Sequence, residues 1–327
     1  MNERTLKALE YGKVLQRLAD CCVSESAREA VLRLRPLPSC HEAREAAALF
    51  EEARTWAALA AHHGYRFGGF PEIRLTEQLA GNGILLEADL LWALREVLRE
   101  TCRARSSIHA EGGGRKQQAQ AAAWPRLVVL AAFPLPERTR AALERCLNDD
   151  AELRDESSPE LHLVRQQLRG HHQSCLRRVR EFARQYNMEH YLQDEFMGLA
   201  SDRYVLPLKA NFKGRMQGIM HHWSQTGESV YFEPLFLVDI NNQIQELKQQ
   251  EREEERRVLA RLAALVREEQ PAVQAARDFL VRLDVLLAQC ALADMLGAVC
   301  PSLGEEGGAA LPQARHPLLV LSGEAQP

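Results

Sequence analysis

What this sequence lacks narrows its function before any motif is weighed. Its longest apolar run, residues 127–133, is far too short to cross a bilayer, so no membrane association is expected. The opening MNERTLKALE has no apolar signal segment, and the eight cysteines contain no CxxC pair. Both features suit a reducing, cytoplasmic setting. Positive charge is not in excess either. A net charge of -4 and a pI near 6.3 exclude binding to nucleic acid by bulk charge, so any such binding has to come from a local patch.

Catalytic signatures are missing as well. No serine or cysteine sits in a GxSxG elbow. Gly12-Lys13 is followed by valine and has no glycine five residues earlier, and Gly112-Gly113-Gly114 beside Arg115-Lys116 lacks the spacing and the Lys-Ser/Thr of a P-loop. The latter reads as a loop. Histidines come in three adjacent pairs, His62-His63, His171-His172 and His221-His222. Neighbouring helical residues point about 100° apart, whereas ligation from a helix uses spacings of three or four, so neither these pairs nor Cys21-Cys22 are read as metal ligands. The expectation is a chain that is not an enzyme and holds no cofactor or metal.

What is present reads as mainly α. At 327 residues the chain can form two or three units that each bury a core, and its 46% hydrophobic and 26% charged content is ordinary for a soluble globular protein. The first 63 residues read as three helices, one through Leu6 to Leu18 and two opening at the caps Ser24 and Ser39. Further helices are expected around Leu75 to Leu79, at 87–105, 125–133 and 137–147, and at 272–299, with a strand start at 318–321.

Apart from that strand start, only residues 191–242 read as β-structure. Short β-rich runs at 204–208, 218–223 and 229–232 are punctuated by Ser201-Asp202, Lys213-Gly214 and Ser224-Gln225-Thr226-Gly227, implying three or four strands. A helix opening at Ser158-Pro159-Glu160 precedes them, with a seam of Leu161, Val164, Leu168, Cys175, Val179 and Phe182. The helix that follows has Leu237, Ile240, Ile244 and Leu247, turns wholly polar through KQQEREEERR at 248–257, and recovers at Val258. Narrow seams of this kind indicate a two-helix stalk. If the arms run antiparallel with the strands as their tip, 248–257 faces 172–181, and Arg177, Arg178 and Arg180 meet Glu251, Glu253, Glu254 and Glu255. Exposed pairs are worth only about 0.2 to 1 kcal/mol each, so they would fix register more than stability.

From 203 to 222 the β-stretch carries Arg203, Lys209, Lys213 and Arg215 with no acidic residue, beside His221, His222, Tyr204, Phe212 and Trp223. That count fits an ordinary solvated surface as well as a binding patch. Four phosphate contacts would give a salt slope of roughly -3.6, enough for a tip to assist binding but weak for a lone module.

RYVLPLKANFKGRMQGIMHHWSQTGESVYFEP at 203–234 resembles the clamp region of the second bacterial branch of MutS proteins, which suppress recombination and rescue collided ribosomes. TLKALEYGKVLQRLA at Thr5, SESAREA at Ser24, LRPL at Leu34, RDESSPEL at Arg154 and ARHPLL at Ala314 follow in the family's order. The resemblance implies a helical core domain at 1–157, a lever helix ascending at 158–192, a β-rich clamp at 193–236, a lever helix descending at 237–270, a helix returning to the core at 271–310, and the start of a linker at 311–327. The fold class expected is therefore mainly α, a helical core with a long antiparallel two-helix lever carrying a small β-rich clamp tip.

The basic and histidine content of the β-stretch makes Arg203, Lys209, Lys213, Arg215, His221 and His222 the expected nucleic-acid-binding residues, and the resemblance implies branched DNA or the ribosome and a second copy of the chain as partners. In the family, ARHPLL leads into an ATPase module that uses ATP and Mg, and then a Smr nuclease domain. This sequence ends a few residues later. The family pattern has Asp-Gln where His222-Trp223 stands and a small residue where Glu228 stands, which alters the partner surface. The competing reading is a non-catalytic helical interaction protein, a truncated regulator that pairs with an intact relative.

Overall fold

A computed structural model of the chain describes residues 3–73, 86–109, 123–185, 197–209, 217–223, 227, 229–303 and 310–323. The helix expected around Leu75 to Leu79, the Gly112-Gly113-Gly114 loop, Lys213 and Arg215 lie outside the described residues. The chain divides into two compact units, 1–144 with 263–327, and 145–262.

The first unit is helical. Its described helices are α1 (Glu3–Ala8), α2 (Tyr11–Asp20), α3 (Glu25–Leu32), α4 (Cys40–His62), α5 (Ala88–His109) and α6 (Pro125–Leu130). The unit also holds most of α7 (Glu137–Cys146) and, from the end of the chain, α10 (Gln270–Leu296) and α11 (Pro317–Ser322). Ser24 and Ser39 cap as expected, accepting from the N–H groups of Ala27 and Glu42. Two expectations fail here. The first helix is broken at Glu10, whose φ of 51° is left-handed and whose carboxylate pairs with Lys13. Residues 318–321 belong to α11, because a short apolar run does not distinguish strand from helix, and Pro317 in the first turn favours the helix.

α10 packs against α2, α3, α4 and α5, and its buried residues, among them Val273, Phe279, Leu280, Leu283 and Leu292, extend around much of its circumference. A carboxylate is buried with them. Asp284, 1% exposed, accepts from the backbone N–H of Val23 (3.1 Å), from the N–H of Ser24 (2.8 Å) and from its hydroxyl (2.6 Å). It thereby neutralises the N-terminal end of α3, where backbone N–H groups lack helical partners.

The second unit holds α8 (Pro159–Gln185), four strands and most of α9 (Leu235–Glu268). The strands β1 (Gly198–Ala200), β2 (Arg203–Lys209), β3 (Gly218–Trp223) and β4 (Ser229–Pro234) form one antiparallel sheet in the order β1-β2-β4-β3. Ser201 and Asp202, both at positive φ, make the two-residue turn between β1 and β2. Leu206, Leu208, Val230 and Phe232 share one core with Val164, Leu168, Cys175, Val179 and Ala183 of α8 and with Leu237, Ile240, Ile244 and Leu247 of α9.

The two long helices are antiparallel but in another register than the charge pattern implied. Phe182 stacks on Phe236 (4.7 Å between ring centres), Arg165 binds Glu251 and Glu255 (2.8 Å each), and Arg261 donates to the carbonyl of Ser157 (2.7 Å). The polar segment of α9 thus meets Arg165, about three helical turns from the expected Arg177 to Arg180. The sheet is held to both helices. It runs along the helices, not beyond them: Lys248 binds Asp202 (3.0 Å), Gln245 donates to the Asp202 carbonyl (2.6 Å) and Tyr204 meets the His172 ring edge-on. The 175–183 stretch of α8 lies opposite the start of α9, with Cys175, Val179 and Ala183 in the core that both helices share with the strands.

Replacing Asp284 with alanine is expected to lower the stability of the first unit by about 2 to 3 kcal/mol, the scale of hydrogen bonds to a charged group. A urea transition followed by circular dichroism measures it; an unshifted midpoint would show that water replaces the carboxylate at no cost.

Candidate nucleic-acid interface

The sheet is organised by a second buried carboxylate. Glu233 of β4 is 0% exposed. Arg203 of β2 approaches both of its oxygens, Nε at 3.0 and 2.9 Å and Nη2 at 2.6 Å. His221 of β3 places Nε2 at 2.8 Å from Oε2, and Asn241 of α9 donates to Oε1 at 2.8 Å. Asn241 also bridges to β2, accepting from the N–H of Tyr204 and donating to its carbonyl, both at 2.9 Å. Burial pushes the Glu233 carboxyl up, but hydrogen bonds from Arg203, Asn241 and His221, with the Arg203 charge, outweigh it and hold the group below the usual carboxylate range.

β3 stands at the edge of the sheet, paired to β4 alone among the described strands. Its pairing runs Gly218↔Pro234, Ile219↔Glu233 and Met220↔Phe232, then resumes at Trp223↔Val230. One extra residue in β3 therefore makes a bulge, a device that re-aims side chains. Across the bulge the two histidines part company: His221 reaches Glu233, while the ring of His222 lies 4.7 Å from that of Tyr231. Directly paired residues share a face, so Met220 and Trp223 stand on the side of the buried Phe232 and Val230. At this edge they emerge, 49% and 48% exposed, with Ile219 at 46%. Gly218 is required by close approach, since a Cβ there would sit 2.3 Å from the Glu233 carbonyl oxygen and 2.5 Å from the Phe232 ring.

The expected binding residues thus divide. Arg203 and His221 are turned inward and bound to Glu233; His222 is on the exposed edge; Lys209 ends β2, and Lys213 and Arg215 lie outside the described residues. The residues that the basic count overlooked are Glu233 and Asn241. Glu233 carried a signal, as an isolated acid in the run Ser229–Pro234. No group of three potential metal ligands occurs among the described residues, and no described helix is long and apolar enough to cross a membrane.

Glu233→Gln would leave Arg203 without its counter-charge and is expected to cost about 2 to 3 kcal/mol at neutral pH. The sign with pH follows from the lowered carboxyl. Its stabilisation is complete above the ordinary value of 4.5 and is lost as pH falls through the lower folded-state value. Urea midpoints of the two proteins should therefore converge on acidification, and parallel curves down to pH 3 would contradict this assignment.

No model of a protein family matches the chain. Individual proteins do, along nearly its whole length. It is 41% identical over 322 residues to the endonuclease MutS2 of Maridesulfovibrio salexigens, covering 98% of this chain and 40% of that protein. The corresponding protein of Solidesulfovibrio magneticus is 42% identical over 327 residues, covering 99% of this chain and 40% of its own length. That of Clostridium perfringens is 29% identical over 320 residues, covering 98% and 39%. The chain therefore spans about 40% of the curated relatives it matches. Residue-level similarity to these MutS2 proteins is sustained from end to end, through both compact units, as expected of the N-terminal portion of such a protein.

Proposed function

We propose that this chain is the core, lever and clamp portion of a MutS-type ATPase and that the β3 edge with the β2–β3 connection grips nucleic acid. The observation that carries this reading is the neutralised Glu233. With its charge answered by Arg203 and hydrogen-bonded by His221 and Asn241, the sheet offers no unpaired carboxylate at 203–209, 217–223 or 229–234 to repel phosphate. Lys209, Lys213 and Arg215 supply the positive charge, and His222 and Trp223 add aromatic surface of the kind on which bases stack. Arg203 and His221 act through Glu233 as positioning residues. On the family's pattern the target is branched DNA, whose capture suppresses recombination, or a collided ribosome. A homodimer and an ATP- and Mg-dependent module elsewhere in the full-length protein would drive the clamp.

Fluorescence anisotropy with a four-way DNA junction, beside sedimentation with ribosomes, tests the reading. Binding should weaken steeply with salt, and reversing Lys209, Lys213 and Arg215 to glutamate should reduce the slope of log affinity against log salt by about 2.7, or 0.9 per contact. Affinity that is flat in salt and indifferent to the triple reversal would favour the helical interaction protein instead.

A further inference from the structure

The register of the two long helices leaves a set of arginines without the partners that charge pattern alone would assign them. Arg177, Arg178, Arg180 and Arg184 of α8 are all exposed, and none forms an ion pair with a described residue. Glu251 and Glu255, the nearest candidates by composition, are bound to Arg165 instead. Glu181 is the one acidic residue of α8 after Glu160.

The placement of these arginines is regular. Residues 177, 180 and 184 fall within roughly 60° of one another around the helix, on the side away from the buried Cys175, Val179 and Ala183. They extend over about 10 Å of helix axis, against about 3.4 Å of duplex axis per phosphate of one strand. A rigid element thus presents a row of guanidinium groups at a length that matches about three successive phosphates. Arginine suits such a row because its planar fork binds phosphate oxygens in pairs.

We propose that this outward face of α8 is a second phosphate-binding surface, which tracks the backbone of a nucleic-acid strand independently of the β3 edge. The inference rests on the reading of the chain as a nucleic-acid binder, but not on the sheet as its contact. The face opposite the strands gives the chain two basic surfaces on one unit, suited to two arms of a branched substrate.

The test uses the full chain and two probes, a 30-base-pair duplex and a four-way junction, by anisotropy over a salt series. Converting Arg177, Arg180 and Arg184 to glutamate should weaken junction binding about tenfold or more and lower its salt slope by about 2.7. Because charge reversal could disturb the helix, the glutamine triple variant, a comparable helix former, is run in parallel; with an unchanged melting temperature it should lower the slope by the same amount. Unchanged affinity and slope in both variants, while the Lys209, Lys213 and Arg215 variant is impaired, would overturn the second surface and leave the sheet as the sole contact. The opposite pattern would uphold the α8 row and remove the sheet. Absence of binding to either probe by the unaltered chain would remove both.

Discussion

The second unit depends on a carboxylate that water cannot reach. An ionised group taken out of water without partners would cost several kcal/mol, so Glu233 is compatible with the fold only if donors are delivered to it. They come from separate elements: Arg203 from β2, His221 from β3 and Asn241 from α9. One buried charge therefore ties two strands and a helix to a third strand. Since Asn241 also closes two hydrogen bonds on the backbone of Tyr204, the sheet cannot slide along α9 without breaking both sets. Sequence periodicity sets which residues face inward; this cluster sets where along the helix they sit.

A partly buried hub does the corresponding work where the apolar seam of α9 gives out. Arg165 binds Glu251, Glu255 and Asp155 and donates to the carbonyl of Leu153 at 2.6 Å. Arg169 adds a contact to Asp155. Burial pushes the Asp155 carboxyl up, and the hydrogen bonds and charges of Arg169 and Arg165 more than reverse it. A network that satisfies most donors of one guanidinium is a more specific register device than the same number of isolated surface pairs.

These two clusters also explain which parts of the fold were legible in the sequence. Caps are local chemistry, so Ser24, Ser39 and Ser158 were readable, the last accepting from the N–H of Leu161. β3 was readable to its last residue, because its β-rich run is bounded by turn residues on both sides. The register of α8 on α9 was not. An arginine-rich segment and a glutamate-rich one can be matched in several alignments of similar charge complementarity, and each pair is worth too little to choose among them. What chose were non-local contacts such as the stacking of Phe182 on Phe236 and the Arg165 network. The inward turn of Arg203 was equally hidden, since strand alternation gives the face on which Arg203 stands and cannot say that Glu233 waits beside it.

Net charge is consequently a poor guide to this chain's surface. Its total of -4 counts Glu233, Glu251, Glu255, Asp155 and Asp284 as fully as any solvated carboxylate. Yet the first four are spent on arginines and the last on the N-terminal end of α3. Charge answered at short range contributes little to the field a distant phosphate meets, especially beyond the roughly 8 Å over which salt screens at physiological strength. The arginines of α8 that have no such partner among the described residues keep their field. An acidic protein can thus present strongly basic faces, and where those faces lie is decided by the same packing that fixes the helix register.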